Sequence, residues 1–157
     1  MEDESRQVDN LMLMGWIEQE LRMGHTAVLR VRGGSMYPFL RDNRDLVTLR
    51  AFAVEGDAVG KIVLFRYEDR YLLHRVIKKE STNYYLRGDN NWSFHLETCR
   101  EEDIRGIVVK VKRNGYEIDC DSWRWRFLSW LWVKTHCWRV NMYRFYRYFR
   151  KLDYKIK

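Results

Sequence analysis

Hydrophobic and polar positions change their period twice along this chain. Apolar residues recur at helical spacing over residues 8–23, and short apolar runs divided by turn signals fill residues 27–119. After residue 120 the helical spacing returns. Spacings of three and four line one face of a helix, whereas short alternating runs are typical of strands. The pattern therefore predicts an N-terminal helical segment over 1–26, a β-domain over 27–119 and a helical tail over 120–157.

The first predicted helix covers residues 8–23 and ends before Gly24, which can terminate it. Polar residues occupy its other positions from Glu18 to Arg22. We expect the apolar side to cover one side of the β-domain. The apolar residues on that side are Leu11, Met14, Ile17 and Leu21.

The central region has no helical pattern between its strands. Turn signals such as Gly33-Gly34, Asn114-Gly115 and the acidic pair Glu68-Asp69 divide the apolar runs. Six or seven strands without intervening helices predict a mainly β fold with an antiparallel sheet. The predicted strands are 27–32, 45–50, 61–67, 71–78, 84–87 and 104–112, and further turns are expected at Asp42-Asn43, Gly56-Asp57 and 88–91.

The tail is predicted to be amphipathic, basic and helical, with Asp121-Ser122 as an N-cap. Arg144, Arg147 and Lys151 cluster on a different side of this predicted helix from its apolar residues. An apolar stripe on one helix face is expected from Phe127, Leu131, Trp138, Met142, Phe145, Phe149, Leu152 and Ile156.

Charge and aromatic residues are concentrated in this tail. Residues 123–157 hold ten Lys or Arg and one acid, a local charge of +9, although the whole chain carries only +7. They also hold twelve of the 24 aromatic residues. Such a segment suits an anionic membrane surface, or packing on the β-domain or a partner. Nucleic acid fits less well, because no recognised binding module accompanies it.

Simpler features of the sequence give expectations for the cellular compartment and for cofactor use. Cys99, Cys120 and Cys137 lack the spacing of a metal site or a disulfide framework, and nothing indicates a cofactor. The acidic N-terminus does not resemble a signal peptide, and no apolar run approaches the roughly 20 residues of a membrane-spanning helix. We expect a cytoplasmic protein, with peripheral membrane association through the tail as an option.

Three residues could form an activated hydroxyl nucleophile. Ser35 follows two glycines, on a turn where the backbone can approach a substrate closely. His74 lies in an apolar strand, where alternation places it on the face of Leu72 and Val76, and a neutral imidazole there could act as base. Asp89, on a later turn, could orient that imidazole, although Asp is also a common turn residue.

Five ordered blocks around these residues resemble the signal peptidase I-like serine peptidases, whose fold group includes the self-cleaving SOS repressors. The resemblance spans about residues 28–113. The blocks are Gly34-Ser35-Met36-Tyr37-Pro38, Gly56-Asp57-x-Val59, Leu73-His74-Arg75-Val76-Ile77, Leu86-Arg87-Gly88-Asp89-Asn90-Asn91 and Ile104-Arg105-Gly106.

The resemblance implies a β-rich fold with a shallow peptide groove, Ser35 as nucleophile and His74 as general base. Most bacterial members have a lysine as base, so the histidine resembles the archaeal and endoplasmic-reticulum type. Enzymes of that type carry a further acidic pair soon after Gly-Asp-Asn-Asn, where this chain reads Trp-Ser-Phe-His-Leu-Glu over residues 92–97. Asp89 is therefore the candidate for third triad member, with His95 as a polar neighbour. The family's usual N-terminal membrane anchor is missing from the pattern.

Two functions follow from these observations, and a third fits less well. The first is a serine endopeptidase that cleaves a protein or peptide precursor. The second is a catalytically inactive descendant that binds a partner peptide in the same groove. A self-cleaving regulator is disfavoured, because only about 26 residues precede the first predicted strand and no small-residue cleavage site stands out.

Overall fold

The computed structural model describes the backbone of residues 2–53 and 58–155, and the side chains of 12–53, 58–145 and 147. Three sequence predictions lie outside these ranges. They are the turn at Gly56-Asp57, the position of Leu11 on the first helix, and the outer part of the tail stripe at 149–156.

Three helices flank eight strands within the described residues. Helix α1 (Glu2–Arg22) precedes the strands, and helices α2 (Trp123–Lys134) and α3 (His136–Lys155) follow them. The predicted strands are all present, and two short ones were not predicted, β6 and β8. The strands are β1 (Ala27–Arg30), β2 (Leu46–Ala51), β3 (Ile62–Tyr67), β4 (Arg70–Glu80), β5 (Asn83–Arg87), β6 (Glu97–Arg100), β7 (Ile104–Arg113) and β8 (Tyr116–Asp119).

The strands form one sheet in the order β1-β2-β7-β3-β4-β5-β6, and β8 pairs with β7. Every strand pair is antiparallel. The predicted fold class is therefore confirmed: a mainly antiparallel β fold with an N-terminal helix and C-terminal helices. The topology places β4, β5 and β6 side by side, so the ends of these strands can share one site.

Helix α1 covers one face of the sheet, as its apolar side predicts. Ile17 and Leu21 are fully buried among side chains of β1, β2 and β7. A Cβ added to Gly106 on β7 would lie only 2.9 Å from Cδ1 of Leu21 and 3.1 Å from the Arg50 carbonyl oxygen. Glycine at this position therefore lets α1 approach the sheet closely.

The opposite face of β3 and β4 has its own apolar cluster. Val63 and Phe65 of β3 and Val76 of β4 are buried there, with Tyr84 and Leu86 of β5. Leu73 instead packs in the cluster beneath α1. Side chains on β4 thus alternate between the two clusters as the sequence predicts.

The tail is two helices and not one, which corrects the single apolar stripe. Thr135 separates α2 from α3 with φ −85° and ψ 2°, outside the helical region. Its hydroxyl donates to the Leu131 carbonyl 2.8 Å away, which satisfies the end of α2. Phe127 and Leu131 consequently belong to a different helix from Trp138, Met142 and the residues that follow. Across the helices of the described chain, none is both long and apolar enough to cross a membrane.

A buried carboxylate fixes the loop that runs from the Ser35 turn to β2. Asp45 is fully buried and accepts hydrogen bonds from Arg44 (2.7 Å), from Arg113 (2.9 Å) and from the Arg41 backbone N–H (2.9 Å). Arg113 also donates to the Phe39 carbonyl at 2.6 Å. Burial alone would raise the pKa of Asp45, but these hydrogen bonds outweigh it and lower the pKa from 3.8 to about 2.

This depressed pKa predicts a specific acid sensitivity. A carboxyl whose pKa is lower in the folded state stabilises the fold above its unfolded pKa and loses that contribution as the pH falls. The difference corresponds to about 2 kcal/mol, lost between about pH 5 and pH 2. Chemical unfolding across this window should show a steeper loss in the wild type than in Asp45→Asn. Asp69→Asn, whose side chain is exposed, is the control, and equal slopes for Asp45→Asn and wild type would contradict the assignment.

Candidate active site

Ser35 lies on an exposed turn between β1 and β2. Gly33, two residues earlier, has a φ of +83°, a conformation that favours glycine. Behind the turn, Met36 and Leu40 are buried in the cluster beneath α1. The turn is thus anchored by buried apolar side chains that follow the exposed serine.

His74 is buried near the middle of β4, opposite Val63 of β3. Its imidazole packs at 6.0 Å from the Phe65 ring, on the side of the sheet that carries Val76. His74 is paired with β3, and pairing of β4 with β5 begins at the next residue, Arg75. The backbone of His74 is therefore held in place, and the orientation of the ring is governed by its few polar contacts.

Ser35 and His74 meet at Gly88, the residue after β5. A Cβ built on Gly88 would lie 3.1 Å from Nε2 of His74 and 3.2 Å from Cβ of Ser35. It would also lie 2.8 Å from the Ser35 carbonyl oxygen. The serine and the imidazole therefore border the same methyl-sized space, and glycine keeps that space open.

Glu97 holds the other nitrogen of the imidazole. One of its carboxylate oxygens lies 3.2 Å from Nδ1 of His74, and both side chains are largely buried. Burial tends to raise the pKa of Glu97, but the hydrogen bond and the attraction to His74 outweigh it and lower that pKa. The carboxylate is therefore ionised near neutral pH and can only accept a hydrogen bond. A neutral His74 must then carry its proton on Nδ1, which leaves Nε2 unprotonated and facing Ser35.

Asp89, the predicted orienting carboxylate, makes a different contact. Both of its oxygens pair with the Arg75 guanidinium, at 2.8 Å to Nε and 2.7 Å to Nη2. Arg75 follows His74 on β4, so its side chain points to the opposite face of the sheet. The geometry thus corrects the predicted triad: the carboxylate on His74 belongs to Glu97, and Asp89 neutralises a buried arginine.

The Arg75–Asp89 pair also supports the Ser35 turn. Arg75 donates to the Gly60 carbonyl at 2.6 Å and stacks 4.4 Å from the ring centroid of Phe39. Phe39 lies four residues after Ser35, so the buried guanidinium joins the Ser35 turn to the turn that carries Asp89.

Asn90 ties the same two turns together at the mouth of the site. Its backbone N–H donates to the Ser35 carbonyl at 2.8 Å, and its amide donates to the Gly34 carbonyl at 3.2 Å. Trp92 donates in turn to the Asn90 side-chain oxygen at 3.3 Å. An open cavity of about 320 Å³ results, lined by Ser35, His74, Gly88, Asn90, Asn91 and Trp92.

The sequence pattern predicts neither the contact of Glu97 with His74 nor the hydrogen bonds by which Asn90 joins the two turns. Asparagine in a Gly-Asp-Asn-Asn stretch is a common turn residue, and the pattern indicates no more than that. Glu97 is the acid that ends the stretch 92–97, but the sequence pattern predicts no strand at β6. Pairing of Leu86 with Glu97 is what brings this carboxylate beside β5 and within reach of β4.

The space at Gly88 gives a direct prediction. In Gly88→Ala, the new methyl group would press against Nε2 of His74 and the Ser35 backbone, so we expect a loss of unfolding free energy of about 1–3 kcal/mol. Reaction of Ser35 with a fluorophosphonate should fall strongly as well, because the two side chains are forced apart. A fluorophosphonate forms a covalent bond with an activated serine hydroxyl.

Gly34→Ala is the matched control for this variant. Gly34 lies next to Ser35, but a Cβ there meets nothing within 4 Å. This variant should therefore keep both stability and reactivity. Equal reactivity of Gly88→Ala and wild type would contradict the placement of Ser35 and His74 around Gly88.

Comparison with known proteins agrees with this fold. The family model described as Peptidase S24-like matches residues 3–109, which include nearly all of α1, the candidate site residues and most of the sheet. No curated protein matches the chain. The match covers more than half of the 157 residues. On this evidence the chain belongs to the peptidase S24-like family.

Proposed function

We propose that this protein is a serine endopeptidase that cleaves a protein or peptide precursor. In this proposal Ser35 is the nucleophile, His74 is the general base, and Glu97 is the residue that positions and stabilises the imidazole. The observation that carries the proposal is the convergence of Ser35 and Nε2 of His74 on Gly88, with the Glu97 carboxylate on Nδ1. Family membership supports the same class of chemistry.

The proposed reaction begins with proton transfer from the Ser35 hydroxyl to Nε2 of His74, while Oγ attacks the carbonyl carbon of the scissile peptide bond. The imidazolium that forms is stabilised by the ionised Glu97 beside it. It then donates its proton to the leaving amine as the C–N bond breaks, which leaves an acyl group on Ser35. Water, activated by the same imidazole, hydrolyses this ester and restores the serine.

The negative oxygen of the tetrahedral intermediate needs hydrogen-bond donors. The backbone N–H of Ser35 is our candidate, because among the described residues it has no hydrogen-bond partner. The side-chain amide of Asn91 lines the same cavity and offers a further donor. All of these groups are fixed by the two turns, so little reorganisation is needed during the reaction.

Histidine as the base is the feature that favours the archaeal and endoplasmic-reticulum type of signal peptidase-like enzyme. The residues that line the cavity include one titratable side chain, His74, and no lysine. The thiols do not compete as nucleophiles at this site, since no cysteine lines the cavity. Burial also raises the pKa of Cys99 and that of Cys120 to about 12.

A peptide-binding protein without activity is the second candidate. Among the hydrogen bonds of the described residues, none joins the Ser35 hydroxyl to His74. Such bonds are often loose before substrate binds, so this spacing is compatible with catalysis as well. The two candidates differ in what they predict for Ser35→Ala.

A peptide library separates the two candidates. The purified wild type should cut a subset of peptides, identified by mass spectrometry of the products, and Ser35→Ala should cut none. Both proteins should show the same thermal unfolding, because Ser35 is exposed on its turn. Cleavage that persists in Ser35→Ala, or peptide binding by a wild type that cuts nothing, would overturn the proposal.

A further inference from the structure

The two C-terminal helices each present a row of exposed apolar side chains. On α2 these are Trp123, Phe127 and Trp130, which are 73%, 52% and 54% exposed. Their spacing of four and three places them on one face of the helix. On α3 the same spacing recurs at Trp138, Met142 and Phe145, all more than half exposed. We call these six residues the apolar rows.

Other side chains of the same helices already hold them on the β-domain. Trp125 and Trp132 of α2 meet the Phe39 ring edge-on at 5.3 and 5.8 Å. On α3, His136 hydrogen-bonds the Ser93 carbonyl at 3.1 Å and Val140 is fully buried. The helices are therefore attached to the β-domain through these four side chains, while the residues of the apolar rows stay more than half exposed.

Exposed cations lie on the same two helices as the apolar rows. Exposed cations on the two helices are Arg124, Arg126, Lys134, Arg144 and Arg147. The sequence has no acidic residue between positions 123 and 152. Arg124 lies 5.5 Å from the Trp123 ring centroid, so cation and aromatic group occupy the same region of surface.

We propose that the apolar rows and their flanking cations bind the surface of an anionic lipid bilayer. Tryptophan prefers the level of the lipid headgroups, where its ring is half-solvated, and arginine is attracted to anionic headgroups. A helix with aromatic groups on one face and cations beside it lies in that interface without crossing the membrane. A second copy of this chain is a poorer occupant, because it would bring the same positive charge against itself.

This surface is physically joined to the catalytic cavity. Tyr143 of α3 stacks on Trp92, which lines the cavity, with ring centroids 4.8 Å apart. Arg144 of α3 lies 5.2 Å from the Phe94 ring in the same loop. A protein bound through α2 and α3 would consequently hold its cavity close to the bilayer. Membrane binding does not depend on the proposed peptidase activity, so the two can be tested separately.

Co-sedimentation of the full chain with lipid vesicles tests the proposal. Vesicles of phosphatidylcholine mixed with phosphatidylglycerol should bind the wild type at least about tenfold more tightly than vesicles of phosphatidylcholine alone. Added salt should weaken this binding. The double variant Phe127→Ser with Trp130→Ser should lose about tenfold or more in binding. Ser35→Ala should bind as the wild type does.

Two exposed residues of the sheet provide the matched control. Val28→Ser with Tyr116→Ser also removes two exposed apolar side chains, 54% and 77% exposed, and should leave vesicle binding unchanged. Equal binding to neutral and anionic vesicles, or unchanged binding of Phe127→Ser with Trp130→Ser, would overturn the proposal. It would also be overturned by a wild type that ignores vesicles and forms a dimer that this double variant dissociates. Binding to single-stranded DNA but not to vesicles would have the same consequence.

Discussion

Replacement of His74 by glutamine is expected to slow the reaction of Ser35 with a fluorophosphonate by about 10²–10⁴-fold, the usual contribution of a general base. Glutamine retains much of the volume of the imidazole and can still hydrogen-bond Glu97, but it cannot accept the serine proton. The fold should therefore persist while the hydroxyl loses its activation. The measurement is the second-order rate constant of modification, followed by intact-protein mass spectrometry, together with the thermal unfolding midpoint.

His95→Gln is the matched control for this experiment. His95 is an exposed histidine near the site in sequence, and it does not line the cavity. We expect this variant to react at the wild-type rate. If His74→Gln also reacts at the wild-type rate, His74 is not the base, and the serine is activated by another group or not at all.

Asp89 and Glu97 are expected to have opposite phenotypes. In Asp89→Ala the fully buried Arg75 loses its carboxylate partner, so the unfolding free energy should fall by about 3–5 kcal/mol. Glu97→Gln should cost far less stability, because the glutamine amide keeps the size of the side chain and an acceptor. Its effect should instead be on reactivity, with a loss of about 10²-fold or more, because the imidazole loses the anion that orients and stabilises it.

The two carboxylates are compared by denaturant unfolding and by the rate of fluorophosphonate modification. Asp89→Asn provides a milder variant in case Asp89→Ala does not fold. It should remain less stable than wild type yet react well when folded. Glu97→Asp should recover part of the rate lost in Glu97→Gln. Loss of reactivity without loss of stability in Asp89→Asn would instead make Asp89 the orienting residue.

The strands, the first helix and the serine–histidine pair can be predicted from the sequence, because each has a recognisable local sequence pattern. Apolar runs between turn residues predict the strands, and a glycine-flanked serine and a strand histidine are recognisable by type. The carboxylate that contacts His74 has no such local sequence pattern. Asp89 and Glu97 are both acids downstream of His74, and only the pairing of β5 with β6 and the alternation along β4 decide which one reaches the imidazole.

The break between the two tail helices is also not predictable from local sequence. Helical spacing across 127–145 is continuous in sequence, so it predicts one helix with one stripe. The helix is interrupted at Thr135, and the helix that follows buries His136 and Val140. His136 also hydrogen-bonds the Ser93 carbonyl. Burial of a few tail residues against a loop of the β-domain is a tertiary effect, and the period of apolar residues does not encode it.

The central claim is that Ser35 is a nucleophile activated by His74. The most direct measurement is to incubate the wild type, Ser35→Ala and His74→Gln with a fluorophosphonate and to locate the modified residue by peptide mass spectrometry. We expect one adduct, on Ser35, in the wild type, with none at that peptide in Ser35→Ala and a much slower appearance in His74→Gln. A folded wild type that acquires no adduct on Ser35, or that acquires it no faster than His74→Gln does, would show that His74 does not activate Ser35.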